Sequence, residues 1–339
     1  MKVFLTGGTG LLGSHVIAQL RARGDAVLAL ARSDTAAGAL ASLGAEVLRG
    51  DLGDTPALER GVAGSDATVH AAAIVLGGTD WPAFHAANVA PTEALATFAG
   101  RLGARLVHLS SVAVYGRHNT YAGGRNSVTE DFGLDQPAFP GDHYARSKRE
   151  AEQALWRVAA ATGLRAVALR PCVIYGEGDR EFSPRVAAAL RFGRGITPLL
   201  GRGTNLLSVV YAGNVAAAVL AALDHREATG PYLVANDGGI TLREFLARFA
   251  AGLGVTPRFV HVPAALAWQA ARTVDAALRL LRPQAPMSTL KTAVQFLAND
   301  NPYCSARAER ELGWRPLVPP ALAAERTGRA YRRSARAAP

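Results

Sequence analysis

The stretch Thr6-Gly7-Gly8-Thr9-Gly10-Leu11-Leu12-Gly13 follows the apolar run Lys2-Val3-Phe4-Leu5 and opens a helical pattern of Leu11, Leu12, Val16, Ile17 and Leu20. It reads as a strand, a tight glycine turn and a helix N-terminus. That combination suits a pyrophosphate: free backbone N–H groups and the positive helix end face the anion, and glycines let the backbone approach it. In a chain with 35 glycines a triplet can also be an ordinary turn, so the rest of the sequence has to supply the context.

Up to about residue 170, strand-like apolar runs alternate with amphipathic segments. Strands are predicted near 2–6, 26–31, 45–49, 67–70, 104–110 and 165–170, and helices near 11–23, 34–43, 55–63, 82–101 and 143–162. Such alternation makes a parallel sheet covered by helices on both faces. The fold class is therefore α/β: a Rossmann-type doubly wound parallel sheet with a smaller C-terminal α/β substrate lobe. The dinucleotide-binding body is assigned to 1–171 plus about 205–225, with 206–210 as a strand returning to the sheet ahead of an alanine-rich helix. Residues 172–204 and 226–320 are assigned to the lobe, and 321–339 to a basic C-terminal helix or tail. The stretch 116–141, rich in Gly, Asn, Asp and Pro, is a long loop of the kind that is usually functional, and it is expected to cover a substrate.

Tyr144 and Lys148 stand four residues apart in a helix-forming segment, so they share one face, about 5–6 Å apart at Cβ. With 8 tyrosines and three lysines (Lys2, Lys148, Lys291) in 339 residues, chance produces only about 0.07 such pairs. A solvated helix lysine is the bland alternative, but nearly all other positive charge here is arginine. A phenol with a pKa near 10 is a poor base at neutral pH, and an adjacent ammonium favours the phenolate and makes proton exchange with a carbinol or carbonyl oxygen feasible. Ser111, after the strand-like run 104–109, can hold that same oxygen. Tyr115 and Tyr121 are the rival phenols, with bland readings as core and loop aromatics.

On these residues the chain resembles an extended short-chain dehydrogenase/reductase of the epimerase and 3β-hydroxysteroid dehydrogenase superfamily. Seven ordered motifs carry the resemblance over nearly the whole length: the glycine loop, Asp51-Leu52, His70-Ala71-Ala72-Ala73, Asn88-Val89, Ser110-Ser111-Val112-Ala113-Val114-Tyr115-Gly116, Tyr144 to Lys148, and Arg170-Pro171-Cys172-Val173-Ile174-Tyr175-Gly176. Softer matches at Glu177-Gly178-Asp179, at Val210-Tyr211-Ala212-Gly213-Asn214 and at Glu311-Leu312-Gly313-Trp314 are similar to the 3β-hydroxysteroid and sterol dehydrogenase branch. The resemblance implies a dinucleotide held by Gly7, Thr9, Gly10, Leu11, Leu12 and Gly13, with Asp51 and Leu52 flanking the adenine. It implies that Ala71, Ala72, Ala73 and Asn88 line the dinucleotide, that Lys148 also bonds the nicotinamide ribose, and that Pro171 and Val173 lie beside the nicotinamide.

NADP(H) is the expected cofactor. In dinucleotide folds an acid about 20 residues beyond the glycines bonds the adenosine 2′-hydroxyl, whereas an arginine there accommodates a 2′-phosphate. Here the second strand runs into Arg32 and Ser33, a fixed charge and a hydroxyl donor, while Asp34 reads as a helix N-cap. NAD(H) stays open, because the steroid branch often uses it.

Composition narrows the remaining classes. A chain with 49% hydrophobic residues can bury a large core. Two cysteines, Cys172 and Cys304, cannot build a disulfide framework, so a reduced cytoplasmic setting is expected, with Cys172 read as a small buried residue. The N-terminus lacks signal-peptide form, and the apolar stretch 263–281 is broken by Gln269, Arg272, Asp275 and Arg279, so it reads as a one-sided helix instead of a membrane span. The net charge of +10 comes without a nucleic-acid motif and crowds into Arg326, Arg329, Arg332, Arg333 and Arg336, as on a solvated helix face. Nucleic acid is therefore not an expected partner, a weak contact with an anionic membrane surface is allowed, and a homodimer and steering of a phosphorylated cofactor are compatible with the chain. No metal site is expected.

Three functions fit. The first is hydride transfer to or from a secondary alcohol or ketone of a hydrophobic molecule, a sterol or β-keto acid, in a cleft lined by Phe259, Val260, Val262, Leu266, Trp268, Leu278, Leu280, Leu281 and Phe296. These residues can equally make the lobe's own core. The second is a nucleotide-sugar epimerase or dehydratase, with Arg185, Arg191, Arg194 and Arg202 aimed at a second pyrophosphate. The third is a non-catalytic cofactor sensor, which retention of Ser111, Tyr144 and Lys148 disfavours.

Overall fold

The computed structural model describes residues 1–75, 80–116, 121–134, 141–191, 196–281 and 290–337. The first half runs β1 (Lys2–Thr6), α1 (Leu11–Ala22), β2 (Ala26–Ala31), α2 (Asp34–Ser42), β3 (Glu46–Arg49), α3 (Thr55–Ala63), β4 (Ala67–His70), α4 (Trp81–Phe84), α5 (Ala90–Leu102), β5 (Arg105–Leu109), α6 (His143–Thr162) and β6 (Ala166–Pro171). After it come β7 (Val173–Tyr175), α7 (Phe182–Arg191), β8 (Ile196–Leu200), β9 (Val209–Tyr211), α8 (Ala212–Asp224), β10 (Gly230–Val234), α9 (Leu242–Leu253), β11 (Arg258–Val262), α10 (Ala264–Leu281), α11 (Leu290–Ala298), α12 (Ala306–Glu311) and α13 (Pro320–Ala337).

Seven strands form one parallel sheet in the order β10-β6-β5-β4-β1-β2-β3. Strand order reverses between β1 and β4, and in open α/β sheets ligands bind outside the carboxyl ends of the strands at that point. Alternation along each strand divides the core. Val3, Leu5, Val107 and Val167 face Val16, Ile17 and Leu20 of α1 and Val215 and Val219 of α8, while Phe4, Leu106 and Ala168 face Leu58, Leu95 and Leu155 of α3, α5 and α6.

The region after β6 departs from the sequence reading in two places. The seventh strand of the sheet is β10, which lies in the stretch assigned to the lobe and pairs with β6 from Gly230↔Val167 to Val234↔Pro171. The segment 206–210 does not rejoin the sheet; β9 pairs with β7 in a separate two-stranded ribbon, Val173↔Val209 to Tyr175↔Tyr211. Both are short apolar runs, and with β10 on the outer edge of β6, β9 finds its partner in the strand that β6 continues into. A second small core unites Tyr175, Leu190, Leu199, Phe245, Phe249 and Leu253.

Two helices also differ from their sequence pattern. The predicted helix 82–101 is three pieces, α4, a π-helical turn at His85–Val89 and α5. Pro91 has no N–H to continue an α-ladder, and the wider turn before it absorbs the break. At the C-terminus α13 is no loose tail: Ala323, Ala324 and Thr327 are buried, while Arg326, Arg329 and Arg333 face solvent. It crosses α9 at glycines, where a Cβ on Gly252 would sit 2.0 Å from the Glu325 carbonyl oxygen and one on Gly328 2.2 Å from that of Phe249. Among the described residues no helix is long and apolar enough to cross a membrane.

Candidate active site

The glycine loop sits at the carboxyl end of β1, beside the point where strand order reverses. Gly7 has φ +78°, and a Cβ there would lie 2.6 Å from the Ala72 nitrogen. At Gly13 a Cβ would lie 2.2 Å from the Gly7 carbonyl oxygen, so α1 can pack this tightly against the loop only with glycine. Gly10 caps α1 without a side-chain hydrogen bond, and Gly10 N donates to Gly7 O at 3.0 Å to close the turn. The first N–H groups of α1, from Leu11, Leu12 and Gly13, therefore meet no side-chain cap, which leaves this helix end suited to a pyrophosphate. Thr9 is exposed on the loop.

The second strand ends at Ala31, and Arg32 follows it exposed to solvent. Ser33 is the N-cap of α2, its Oγ accepting from Ala36 N at 3.2 Å. That corrects the placement of Asp34 as the cap: Asp34 lies in the first turn and its carboxylate accepts from Arg49 of β3. Asp51 Oδ1 accepts from the Gly53 and Asp54 nitrogens at 2.7 and 3.1 Å, a short turn that carries the half-buried Leu52.

Ala71, Ala72 and Ala73 continue β4 as a half-buried extended segment tied to β1, with Ala71 N donating to Thr6 O at 3.2 Å. Asn88, inside the π-helical turn and 1% exposed, faces protein on every side of its amide. Its Oδ1 accepts from Ile74 N at 2.8 Å, and its Nδ2 donates to Ile74 O at 3.0 Å and to Ser147 Oγ at 2.8 Å. Asn88 thus clamps the segment after β4 onto α6.

The three reactive candidates meet at the ends of β5 and α6. Asp142 caps α6, its Oδ1 accepting from Ala145 N at 3.1 Å, and this starts the helix so that half-buried Tyr144 lies in the first turn with buried Lys148 one turn further in. Lys148 Nζ donates to Leu109 O at 2.7 Å, at the end of β5. Two residues on, Ser111 caps the short 3₁₀ turn Val112–Tyr115, its Oγ accepting from Ala113 N at 3.1 Å and keeping its O–H free of that bond. Burial lowers the Lys148 pKa to about 8, and the nearby Glu152 carboxylate pushes the other way. Tyr115 is a poor candidate base. It is buried, accepts from Arg170 Nη1 at 2.7 Å, and its phenol is raised well above the usual range by desolvation.

Pro171 ends β6 in the sheet, and Val173, which opens β7, is 37% exposed at the same edge. Cys172 between them is buried, and its thiol, raised by desolvation, donates to Ala235 O at 3.4 Å, as expected of a small core residue. Of the loop 116–141, residues 117–120 and 135–140 lie outside the described residues; Val128 within it bridges to Tyr303, with its N donating to Pro302 O at 2.9 Å.

Two buried groups were given no role from the sequence. His70 and His108 lie side by side in register on β4 and β5, ring centroids 5.4 Å apart, each 1% exposed, on the face that α6 covers. Thr6 Oγ1 and His70 Nδ1 are 2.7 Å apart. The second is Glu152, paired with Arg170 below Lys148. Its position one helical turn beyond Lys148 was the only available signal.

Of the residues proposed for an apolar cleft, Val260 and Leu266 face solvent at 50% and 63% exposure, and Phe259 and Phe296 pack against the second core. The side chains of Leu278, Leu280 and Leu281 lie outside the described residues, as does Arg194. Arg185, Arg191 and Arg202 are exposed, with Arg185 paired to Glu181 and Arg191 over the Tyr331 ring.

A doubly wound parallel sheet with this glycine cradle, and with Ser111, Tyr144 and Lys148 at the carboxyl ends of its strands, defines the class as a nicotinamide-dependent oxidoreductase of the Rossmann type. The chain belongs to the NAD dependent epimerase/dehydratase family, whose pattern matches residues 3–236, and so to the extended short-chain dehydrogenases/reductases. It is 33% identical over 315 residues to a Stigmatella aurantiaca protein named 4-hydroxy-2-methyl-3-oxo-4-farnesyl-3,4-dihydroquinoline-1-oxide ketoreductase, covering 93% of this chain and 92% of that one. With a 2-alkyl-3-oxoalkanoate reductase of Stenotrophomonas maltophilia it shares 32% identity over 333 residues, 94% and 96% of the two chains. Among solved structures, UDP-glucose 4-epimerase of Thermus thermophilus in complex with NAD superposes with a TM-score of 0.70 at 26% identity, covering 98% of this chain and 99% of that one.

Proposed function

We propose that the chain is an NADP(H)-dependent reductase of a ketone on a hydrophobic molecule, with β-keto acids and sterol-like ketones as the substrate class. The observation that carries this reading is the pair of relatives above 30% identity, each matched over more than nine-tenths of its length and each named for a reduction at a ketone that bears a farnesyl or alkyl chain. The nucleotide-sugar reading draws on solved epimerases of the same fold, but the described arginines assigned to a second pyrophosphate point to solvent or are engaged with Glu181 and Tyr331.

The nicotinamide, when bound, supplies the hydride to the carbonyl carbon. Ser111 holds the carbonyl oxygen and Tyr144 gives that oxygen its proton, so the ketone becomes a secondary alcohol. Lys148, its ammonium beside the phenol on the same helix face, favours the phenolate left behind and holds the nicotinamide ribose. Arg32 and the Ser33 hydroxyl, which keeps its proton to donate while Oγ accepts from Ala36, favour a 2′-phosphate. Arg49 supports the preference by neutralising Asp34, the carboxylate that would repel that phosphate.

The test is a scan of long-chain β-keto acids, sterol ketones and UDP-sugars for cofactor absorbance change with NADPH and NADH. Turnover of an apolar ketone with a higher kcat/KM for NADPH is expected, and Arg32→Ala should erode that preference. Micromolar UDP-sugar binding with no response to any apolar ketone overturns the substrate class. A preference for NADH, or an Arg32→Ala variant that binds NADPH unchanged, overturns the cofactor assignment.

A further inference from the structure

Tyr144, Lys148 and Glu152 follow one another at intervals of four on α6, so all three lie along one face. Glu152 is fully buried and its partner Arg170 is 2% exposed. Arg170 Nε donates to Glu152 Oε1 at 2.9 Å and Nη2 to Oε2 at 2.6 Å. Ser110 Oγ also donates to Oε1, and Trp156 Nε1 donates to Oε2 at 3.4 Å. Four donors therefore fill the carboxylate, whose two oxygens offer about four acceptor positions. Arg170 Nη1 meanwhile donates to the Tyr115 hydroxyl at 2.7 Å.

These bonds join every segment that carries a group assigned to the reaction. Glu152 belongs to α6 with Tyr144 and Lys148; Ser110 directly precedes Ser111; Tyr115 closes the turn that Ser111 caps; Arg170 directly precedes Pro171. We propose that Glu152 is a positioning residue, which by holding Arg170 and Ser110 at once sets Tyr144 and Lys148 in register with Ser111. A buried ion pair is a weak source of stability, because an apolar pair of similar volume often serves the core as well or better. Its value here is the angular precision of a bidentate contact between helix and strand ends.

The charges around Lys148 are consistent with this role. Lys148 faces Tyr144 and Glu152 on its own helix, His70 on β4, His108 on β5 and Arg170 on β6. Both histidines are held neutral by burial, and Glu152 supplies the negative charge that offsets the burial of the ammonium.

The proposal rests on the assignment of Ser111, Tyr144 and Lys148, and two variants of the full chain separate it from a structural role. Glu152→Leu/Arg170→Leu removes both members of the pair together, so neither is left buried without its partner; the chain is expected to fold while kcat with the best ketone of the scan falls about tenfold to a hundredfold, the scale of an ångström misplacement. Glu152→Gln keeps the shape and removes the charge. In it the Lys148 midpoint, read by NMR of ¹³C-lysine in a chain with only three lysines, should move below about 8, and the alkaline limb of ketone reduction should move down with it. The NMR readout needs no substrate, so it stands even if no ketone is turned over. Wild-type kcat in a folded double variant overturns the proposal. So does Glu152→Gln with both kcat and the Lys148 midpoint unchanged, and this variant decides alone if the double variant does not fold.

Discussion

Tyr144→Phe removes the proton donor and leaves the Lys148 contact with Leu109 untouched, so kcat should fall by about 10² to 10⁴ with NADPH affinity nearly intact. Lys148→Met should damage both. Steady-state kinetics beside a fluorescence titration of NADPH separates the two effects, and full turnover in Tyr144→Phe together with its loss in Tyr115→Phe would refute the assignment. The buried histidines make a prediction of another kind. Desolvation lowers the His70 pKa to about 3, with the Lys148 charge adding to it, and pushes His108 well below its usual value of 6.5. Between those values the unfolded chain binds protons that the folded chain does not, so the stability from neutral burial is complete above about pH 6.5 and is lost as the pH falls. Tm should drop from pH 7 to pH 5, and His108→Leu should flatten the drop. A slope unchanged by that substitution places the acid sensitivity elsewhere.

Among the elements, the crossing of α9 and α13 carries the sharpest expectation. Because a Cβ on Gly252 would stand 2.0 Å from Glu325 O and one on Gly328 2.2 Å from Phe249 O, Gly252→Ala or Gly328→Ala must push the helices apart, at a cost of about 1–3 kcal/mol. Thermal melts of both variants read this directly, and an unchanged Tm shows that the helices do not touch as described. Gly252 and Gly328 read as weak spots in helix-forming segments, since glycine lowers helix propensity. Their reason lies in a neighbour remote in sequence. The predicted helix 82–101 is helical from Trp81 to Leu102, but ahead of Pro91 it widens into a π-helical turn, which turns Asn88 toward Ile74 and Ser147.

For the molecule as a whole, the +10 charge should matter most to the cofactor that carries an extra phosphate. If the field steers it, kcat/KM for NADPH falls more steeply with ionic strength than kcat/KM for NADH, because screening shortens the reach of the field to about 10 Å at 0.1 M salt. Parallel slopes for the two cofactors exclude steering through the 2′-phosphate. At the same scale, the sheet gains its outer strand from Gly230–Val234, and the ribbon of Val173–Tyr175 with Val209–Tyr211 carries the chain from the sheet edge toward the second core.

The glycine turn, the alternation of strands and helices to residue 171, and the placement of Tyr144 and Lys148 one turn apart on a helix that starts beyond Ser111 were legible in the sequence because each depends on local chemistry. A φ of +78° at Gly7, apolar periods of two and 3.6, and two side chains four apart on one helix are properties of a few neighbouring residues. Partner choice was not legible. Short apolar runs at 206–210 and 230–234 look alike until it is known which reaches the free edge of β6, and Asp34 reads as a cap until Arg49 arrives from the next strand to claim its carboxylate. Glu152 and His108 read as ordinary residues of their segments, and His70 and Arg170 as the first residues of two motifs with no partner assigned. Only when the sheet brings β4, β5 and β6 side by side beneath α6 do they become a buried polar layer under the site, because burial and long-range pairing are set by distances through space that spacing along the chain does not contain.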